Sequence, residues 1–218
     1  MGSVQHDYAT LIRDELEEMR AYLSSLDEAD WDRPSLCDGW AVRHVVGHIC
    51  LGYHASLLWV GLQIVKERGN VARGSSRLSR EFGDDHTPAE LVDLFGAYVD
   101  NCVKGRGISR VLPIADRYTD NVIHHEDVRR PLGRDRDIPE ERLTAALDRL
   151  PKIGGFLQSK KTDAGLRFET TDITWSWGSG PTVRGPGRDL LLAMSGRPLG
   201  LEACEGDGVA VLSSRIEA

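Results

Sequence analysis

The stretch Ile114-ADRYTDNVIHHEDV-Arg129 decides how this chain is read. Pro113 precedes it, and Pro131 and Gly133 follow it, so the segment has a start and a stop written into it and reads as one helix. Residues four apart on a helix lie one turn above each other, so Asp120 and His124 can direct a carboxylate and an imidazole at one point. His125, about 100° further round, faces elsewhere.

Working outward, the chain before this helix offers three more. Leu11, Ile12, Leu16, Met19, Leu23 and Leu26 recur at steps of three and four and predict an amphipathic helix from Asp7 to Leu26. The stretch Trp31-DRPSLCDG-Trp40 reads as a structured connection to a second helix, running from about Ala41 to Glu67. Arg68 to Asp85 is rich in Gly, Ser and Arg and is expected to be a loop or crossover. Thr87-Pro88-Ala89-Glu90 then joins an N-cap, a proline at N1 and a glutamate at N3, opening a third helix that ends near Val103. Four long helices in sequence predict a bundle.

After Pro139 a short helix is expected through Leu150, and then the texture changes. Leu166 to Thr170 and Ile173 to Trp177 alternate like strands, and Trp175 and Trp177 fall on one strand face. Pro186 to Met194 is helical up to Gly196, and Gly206-Asp207-Gly208 turns into a strand-like Val209 to Leu212. The expectation is a mainly α protein: a bundle over residues 1–150 and a small α+β domain, β-β-α-β, over 151–218.

The bulk numbers exclude several function classes. A formal charge of −7, with 27 basic against 34 acidic residues, argues against a nucleic-acid surface, and Arg129, Arg130, Arg134 and Arg136 are interrupted by acidic neighbours. The N-terminus carries acidic residues where a signal peptide needs an apolar run, and no window reaches about 18 uninterrupted apolar residues, so a cytoplasmic protein with no membrane partner is expected. Cys37, Cys50, Cys102 and Cys204 form no C-x-x-C pair and read as reduced, buried thiols, none paired with a histidine or lysine that would activate it.

A catalytic divalent ion commonly takes three protein ligands, so Asp120 and His124 need a third donor from another helix. His48 is the natural candidate. His44 and His48, also four apart, form a rival H-x-x-x-H pair, and Asp120 can equally cap or pair with Arg117. Spacing leaves these readings open.

Three stretches together resemble the actinobacterial maleylpyruvate isomerase-like family: Pro34-SLCDGWAVRHVVGH-Ile49, Asp120-NVIHHEDVRRPL-Gly133 and Trp175-SWGSGPTVRGPGRDLLLAMSG-Arg197. The resemblance implies a DinB-like four-helix metal-binding domain with His48, Asp120 and His124 as ligands. Asp120 stands where relatives carry glutamate, which departs from the pattern and leaves room for a bundle that has lost its metal. Asp127 is expected to accept the ring N–H of His124, and Arg197 is expected to hold an anionic substrate near the ion, its rival reading being a cation at a helix C-terminus. Arg129 and Arg130 read as charges at a helix C-terminus. The resemblance further implies a divalent ion, zinc first and nickel or iron as alternatives, and mycothiol or a similar thiol as cosubstrate. The expected activity is isomerisation or S-transfer on an electrophilic small molecule. Competing readings are a non-haem iron enzyme on the same ligands and a non-catalytic thiol-binding protein, either one open to homodimer formation.

Overall fold

The computed structural model describes residues 5–66, 70–153 and 162–217. The chain divides into two compact units, one of residues 7–117 with 127–134, the other of the N-terminal residues through His6, 118–126 and 135 onward.

The first unit is helical. α1 (Tyr8–Leu23) starts where the Asp7 side chain accepts from the amides of Ala9 and Thr10, and buries Leu11, Ile12, Leu16, Met19 and Leu23 against α5. α2 (Val42–His54) buries Val42, Val45, Val46, Ile49 and Cys50. The single helix expected from Ala41 to Glu67 is two: α2 ends at His54, the backbone turns extended at Ala55, and Ser56 Oγ accepts the Trp59 amide to open α3 (Leu57–Lys66). Glu67, where that helix was expected to end, lies outside the described residues. α5 (Pro88–Asp100) begins with the capping box read from the sequence, Thr87 Oγ accepting from the Glu90 amide and Glu90 accepting from Thr87 N–H at 2.8 Å.

The segment expected to be a loop between Arg68 and Asp85 is instead α4 (Val71–Asp84), started by Asn70, whose side chain accepts the Arg73 amide at 2.9 Å. Its packing against α2 explains how so polar a sequence is held in a helix. A Cβ added to Gly47 would stand 2.9 Å from the Gly83 amide nitrogen and from the Ser79 carbonyl, and one on Gly83 would stand 2.7 Å from the Arg43 carbonyl. The two backbones therefore meet directly, and large apolar side chains have no room at the crossing.

α6 (Ile114–Arg129) has the bounds read from the sequence and stops at Gly133, which takes φ +67°. Its ends are tied within the first unit: Arg117 donates to the carbonyls of Cys102 and Val103, and the Asp127 carbonyl accepts the Leu36 amide. Arg129 lies over the Tyr22 ring at 4.1 Å.

In the second unit α7 (Glu140–Arg149) precedes a three-stranded sheet in the order β2-β1-β3. β1 (Arg167–Thr170) runs antiparallel to β2 (Ser176–Gly178) and parallel to β3 (Thr182–Gly185), with Phe168 opposite Trp177 and Val183. α8 (Gly187–Met194) buries Leu190 to Met194 and packs on α7, β1 and β3. The α+β character expected here stands, but among the described residues from 162 on the order is β-β-β-α-α. Residues 209–212 belong to a helix, α9 (Val209–Ile216), and not to a strand. The reason lies at the edge of β3. Arg184 and Glu205 exchange both backbone hydrogen bonds at 2.8 Å, Asp207 accepts the Thr182 amide, and Gly208 N–H donates to the Thr182 carbonyl. Residues 205–208 thus occupy that edge, and Val209 onward winds up its own hydrogen bonds.

Replacing Gly83 with valine should force α4 away from α2 and cost about 2–3 kcal/mol, as overpacked contacts do. Urea denaturation of wild type and Gly83→Val checks this. Gly52, whose Cβ would meet nothing within 4 Å, tolerates alanine.

Candidate functional site

Each residue singled out in the sequence has a definite place. On α6, Asp120 is half-buried and His124 buried, and Asp120 Oδ1 lies 3.6 Å from His124 Nε2. The helical repeat alone sets this pairing, since both side chains leave the same face of one rigid helix one turn apart.

The histidines of α2 separate clearly. His44 accepts the Ala41 amide on Nδ1 at 3.0 Å and meets the Asp84 carboxylate through Nε2 at 2.9 Å. It caps its own helix and ties it to α4, with both ring nitrogens engaged. His48, one turn on, is half-buried, places Nδ1 3.1 Å from Ser79 Oγ on α4, and lies 5.5 Å from the Trp40 ring, centroid to centroid. Trp40 in turn donates its indole N–H to Ser76 Oγ at 3.1 Å. The remaining histidines of this unit face main-chain carbonyls, His54 that of Leu94 and His86 that of Phe82.

Asp127 is fully buried; its side chain accepts the Cys37 thiol hydrogen at 3.1 Å. Arg197 is half-buried just beyond α8, and its Nη1 donates to the Ser195 carbonyl at 2.7 Å. Gly196, at φ +86°, makes the turn there, and the Arg197 amide reaches back to the Leu192 carbonyl, a Schellman closure. Its guanidinium accordingly sits on a helix C-terminus, the placement that favours a cation.

Sequence reasoning missed an ionic cluster in the second unit. Glu126, with 1% of its side chain exposed, accepts from Arg136 Nε at 2.8 Å and lies 3.5 Å from Arg188 Nε. Arg188 also donates to the Arg136 carbonyl at 2.7 Å and to Asp135 at 3.2 Å. An open cavity of about 690 Å³ borders Arg136 and Arg188, with Asp172 and Asp189 on its wall. Glu126 stands inside the quoted His-His-Glu-Asp run, but nothing in one sequence says which distant arginine meets it.

Three thiols, Cys50, Cys102 and Cys204, are unsuited to act as nucleophiles. Burial pushes the Cys50 thiol up to about 12. Burial, with a smaller contribution from the Asp189 charge, pushes Cys204 up to about 11, and burial also raises Cys102.

Taken with the elements described above, the fold class is mainly α, helices followed by a small α+β C-terminal part. Residues 12–104 match the family model described as the mycothiol maleylpyruvate isomerase N-terminal domain. The fold is similar to the crystal structure of the mycothiol-dependent maleylpyruvate isomerase, with a TM-score of 0.62 and 18% identity over 92% of each chain. It is similar in the same way to a histidine-to-alanine mutant of that isomerase, with a TM-score of 0.61 and 18% identity over 92% of each chain. No curated protein matches the sequence. Among the described residues, no helix is long and apolar enough to cross a membrane.

The raised thiol values make a direct prediction. Because burial favours the protonated form, Cys50 stays a thiol through neutral and mildly alkaline pH and gains thiolate only as the pH nears about 12. Iodoacetamide at mildly alkaline pH should leave Cys50 unmodified in the native protein and label it after denaturation, as peptide mass spectrometry will read.

Proposed function

We propose that this chain is a metal- and thiol-dependent enzyme, an isomerase or S-transferase of the maleylpyruvate isomerase type, acting on an electrophilic small molecule. The observation that carries the reading is the Asp120–His124 pair, 3.6 Å apart on one face of α6, in a chain whose residues 12–104 match the model of the mycothiol maleylpyruvate isomerase N-terminal domain.

In this reading His48, Asp120 and His124 hold one divalent ion. The donor set suits such a group: two imidazoles and a carboxylate are ligands for zinc, nickel or iron, with zinc our first assignment. His48 is preferred to His44 because both His44 ring nitrogens are already engaged. Bound there, such an ion lowers the pKa of a thiol, so that sulfur is nucleophilic at neutral pH.

The chain's own residues do the rest. Burial favours the protonated form of Cys50, Cys102 and Cys204, and in this reading the attacking sulfur is that of a small thiol such as mycothiol. Asp127 orients the His124 ring, and Arg197 takes an anionic group of the substrate. The thiolate adds to one carbon of an activated double bond, forming a C–S bond as the C=C π bond breaks and its electron pair passes to the conjugated electron-withdrawing group. Rotation about the C–C single bond so left, then return of that pair to reform the double bond with expulsion of the thiolate, gives isomerisation; protonation of the adduct with the C–S bond retained gives a thioether.

Elemental analysis of protein prepared without a histidine tag or chelator tests the ligand set. About one equivalent of metal is expected in wild type and in His44→Ala, and little in His48→Ala, Asp120→Ala or His124→Ala. Equal loss in His44→Ala would move the site along α2, and turnover requiring dioxygen in place of added thiol would overturn the thiol reading. For Arg197→Met, metal content is expected to stay at the wild-type level while KM for an anionic substrate rises by about 10-fold or more.

A further inference from the structure

We infer that Ser79 is a positioning residue that holds the His48 imidazole with its proton on Nδ1 and its lone pair on Nε2. The inference rests on the assignment of His48 as a ligand, and it concerns which atom of that ring is offered.

The hydrogens available at Ser79 fix the tautomer. Ser79 Oγ lies 2.8 Å from the Ser75 carbonyl, one turn back on α4, and 3.1 Å from His48 Nδ1. A carbonyl has no hydrogen to give, so the single hydroxyl hydrogen of Ser79 is donated to Ser75. Toward His48 the hydroxyl can then only accept, so Nδ1 must carry the N–H. In the neutral ring that leaves the lone pair on Nε2. Unconstrained neutral imidazole prefers its proton on the other nitrogen, so the serine works against the intrinsic preference of the side chain.

Two further observations keep the hydroxyl where it acts. Ser79 is fully buried, and its carbonyl stands 2.9 Å from the position a Cβ on Gly47 would take, so the α2–α4 crossing leaves it no room to withdraw. The Trp40 ring lies beside His48 and is anchored by Ser76 on the same helix, so α4 governs both the edge of the imidazole and its aromatic neighbour. The contrast with His44 makes the point within one helix. There a backbone amide faces Nδ1 and a carboxylate faces Nε2, and the opposite tautomer results.

The test reads the ring directly. With ¹⁵N-labelled histidine in metal-free protein at mildly alkaline pH, long-range ¹H–¹⁵N spectra should show His48 protonated on Nδ1 in wild type. Ser79→Ala should move it toward the Nε2-protonated form, and Ser79→Thr, which keeps a hydroxyl, should restore the wild-type pattern. Circular dichroism and thermal melting establish that each variant is folded. Zinc affinity, measured by competition with a chelator, should fall about 10–100-fold in Ser79→Ala and recover in Ser79→Thr. A wild-type ring protonated on Nε2 overturns the inference without any variant, as does a folded Ser79→Ala protein with the wild-type ring pattern. If the ring responds as expected but wild type takes up no metal, the metal reading fails and the serine's control of the ring stands.

Discussion

The contact between Gly47 and Gly83 is the constraint on which the helical unit depends. Two helices whose backbones touch cannot exchange a hydrogen at that point for a methyl group, because the added carbon would fall within 3 Å of main-chain atoms on the facing helix. The short approach also brings small polar side chains of α4 within hydrogen-bonding reach of α2 and the turn before it. Ser79 meets His48, Ser76 meets Trp40, and Asp84 meets His44. At the ordinary interaxial spacing set by large side chains, hydroxyls this short would not span the gap.

The same contact explains what the sequence concealed. Apolar periodicity reveals helices that pack through large side chains, and α1 and the Thr87–Glu90 cap were legible for that reason and for their capping chemistry. α4 packs through glycine and serine, so its composition looked like that of a loop. The C-terminal error has a different physical origin. Val209-Ala-Val-Leu212 suits a strand as well as a helix, and the choice was made by Glu205 and Asp207, which close the edge of β3 before the run begins. β3 itself escaped notice because only Val183 and Gly185 are buried along it, and its parallel pairing with β1 is a long-range event without a local signature.

The candidate site divides along the same line. Asp120 and His124 were legible because their relation is a property of one helix. Spacing does not separate His44 from His48, since the two share a helix and a residue type, and the choice of His48 came from the family resemblance. Only the groups facing them differ, an amide and a carboxylate for one and a hydroxyl for the other. The Glu126 cluster belongs with the illegible part, because Arg136 and Arg188 reach it from separate segments of the chain.

This asymmetry bears on how a site of this kind tolerates change. Two of its proposed donors are fixed relative to each other by the helical repeat, which substitutions elsewhere do little to alter. Asp120 has a side chain one methylene shorter than the glutamate expected from the family resemblance, so its carboxylate stays close to its own helix and has fewer conformations to lose on binding. The third donor has no such guarantee. His48 owes its orientation to a hydroxyl on another helix, and that hydroxyl owes its place to two glycines. Precision therefore costs most at His48, and substitutions in α4 far from any substrate should act on the site through the imidazole that α4 holds.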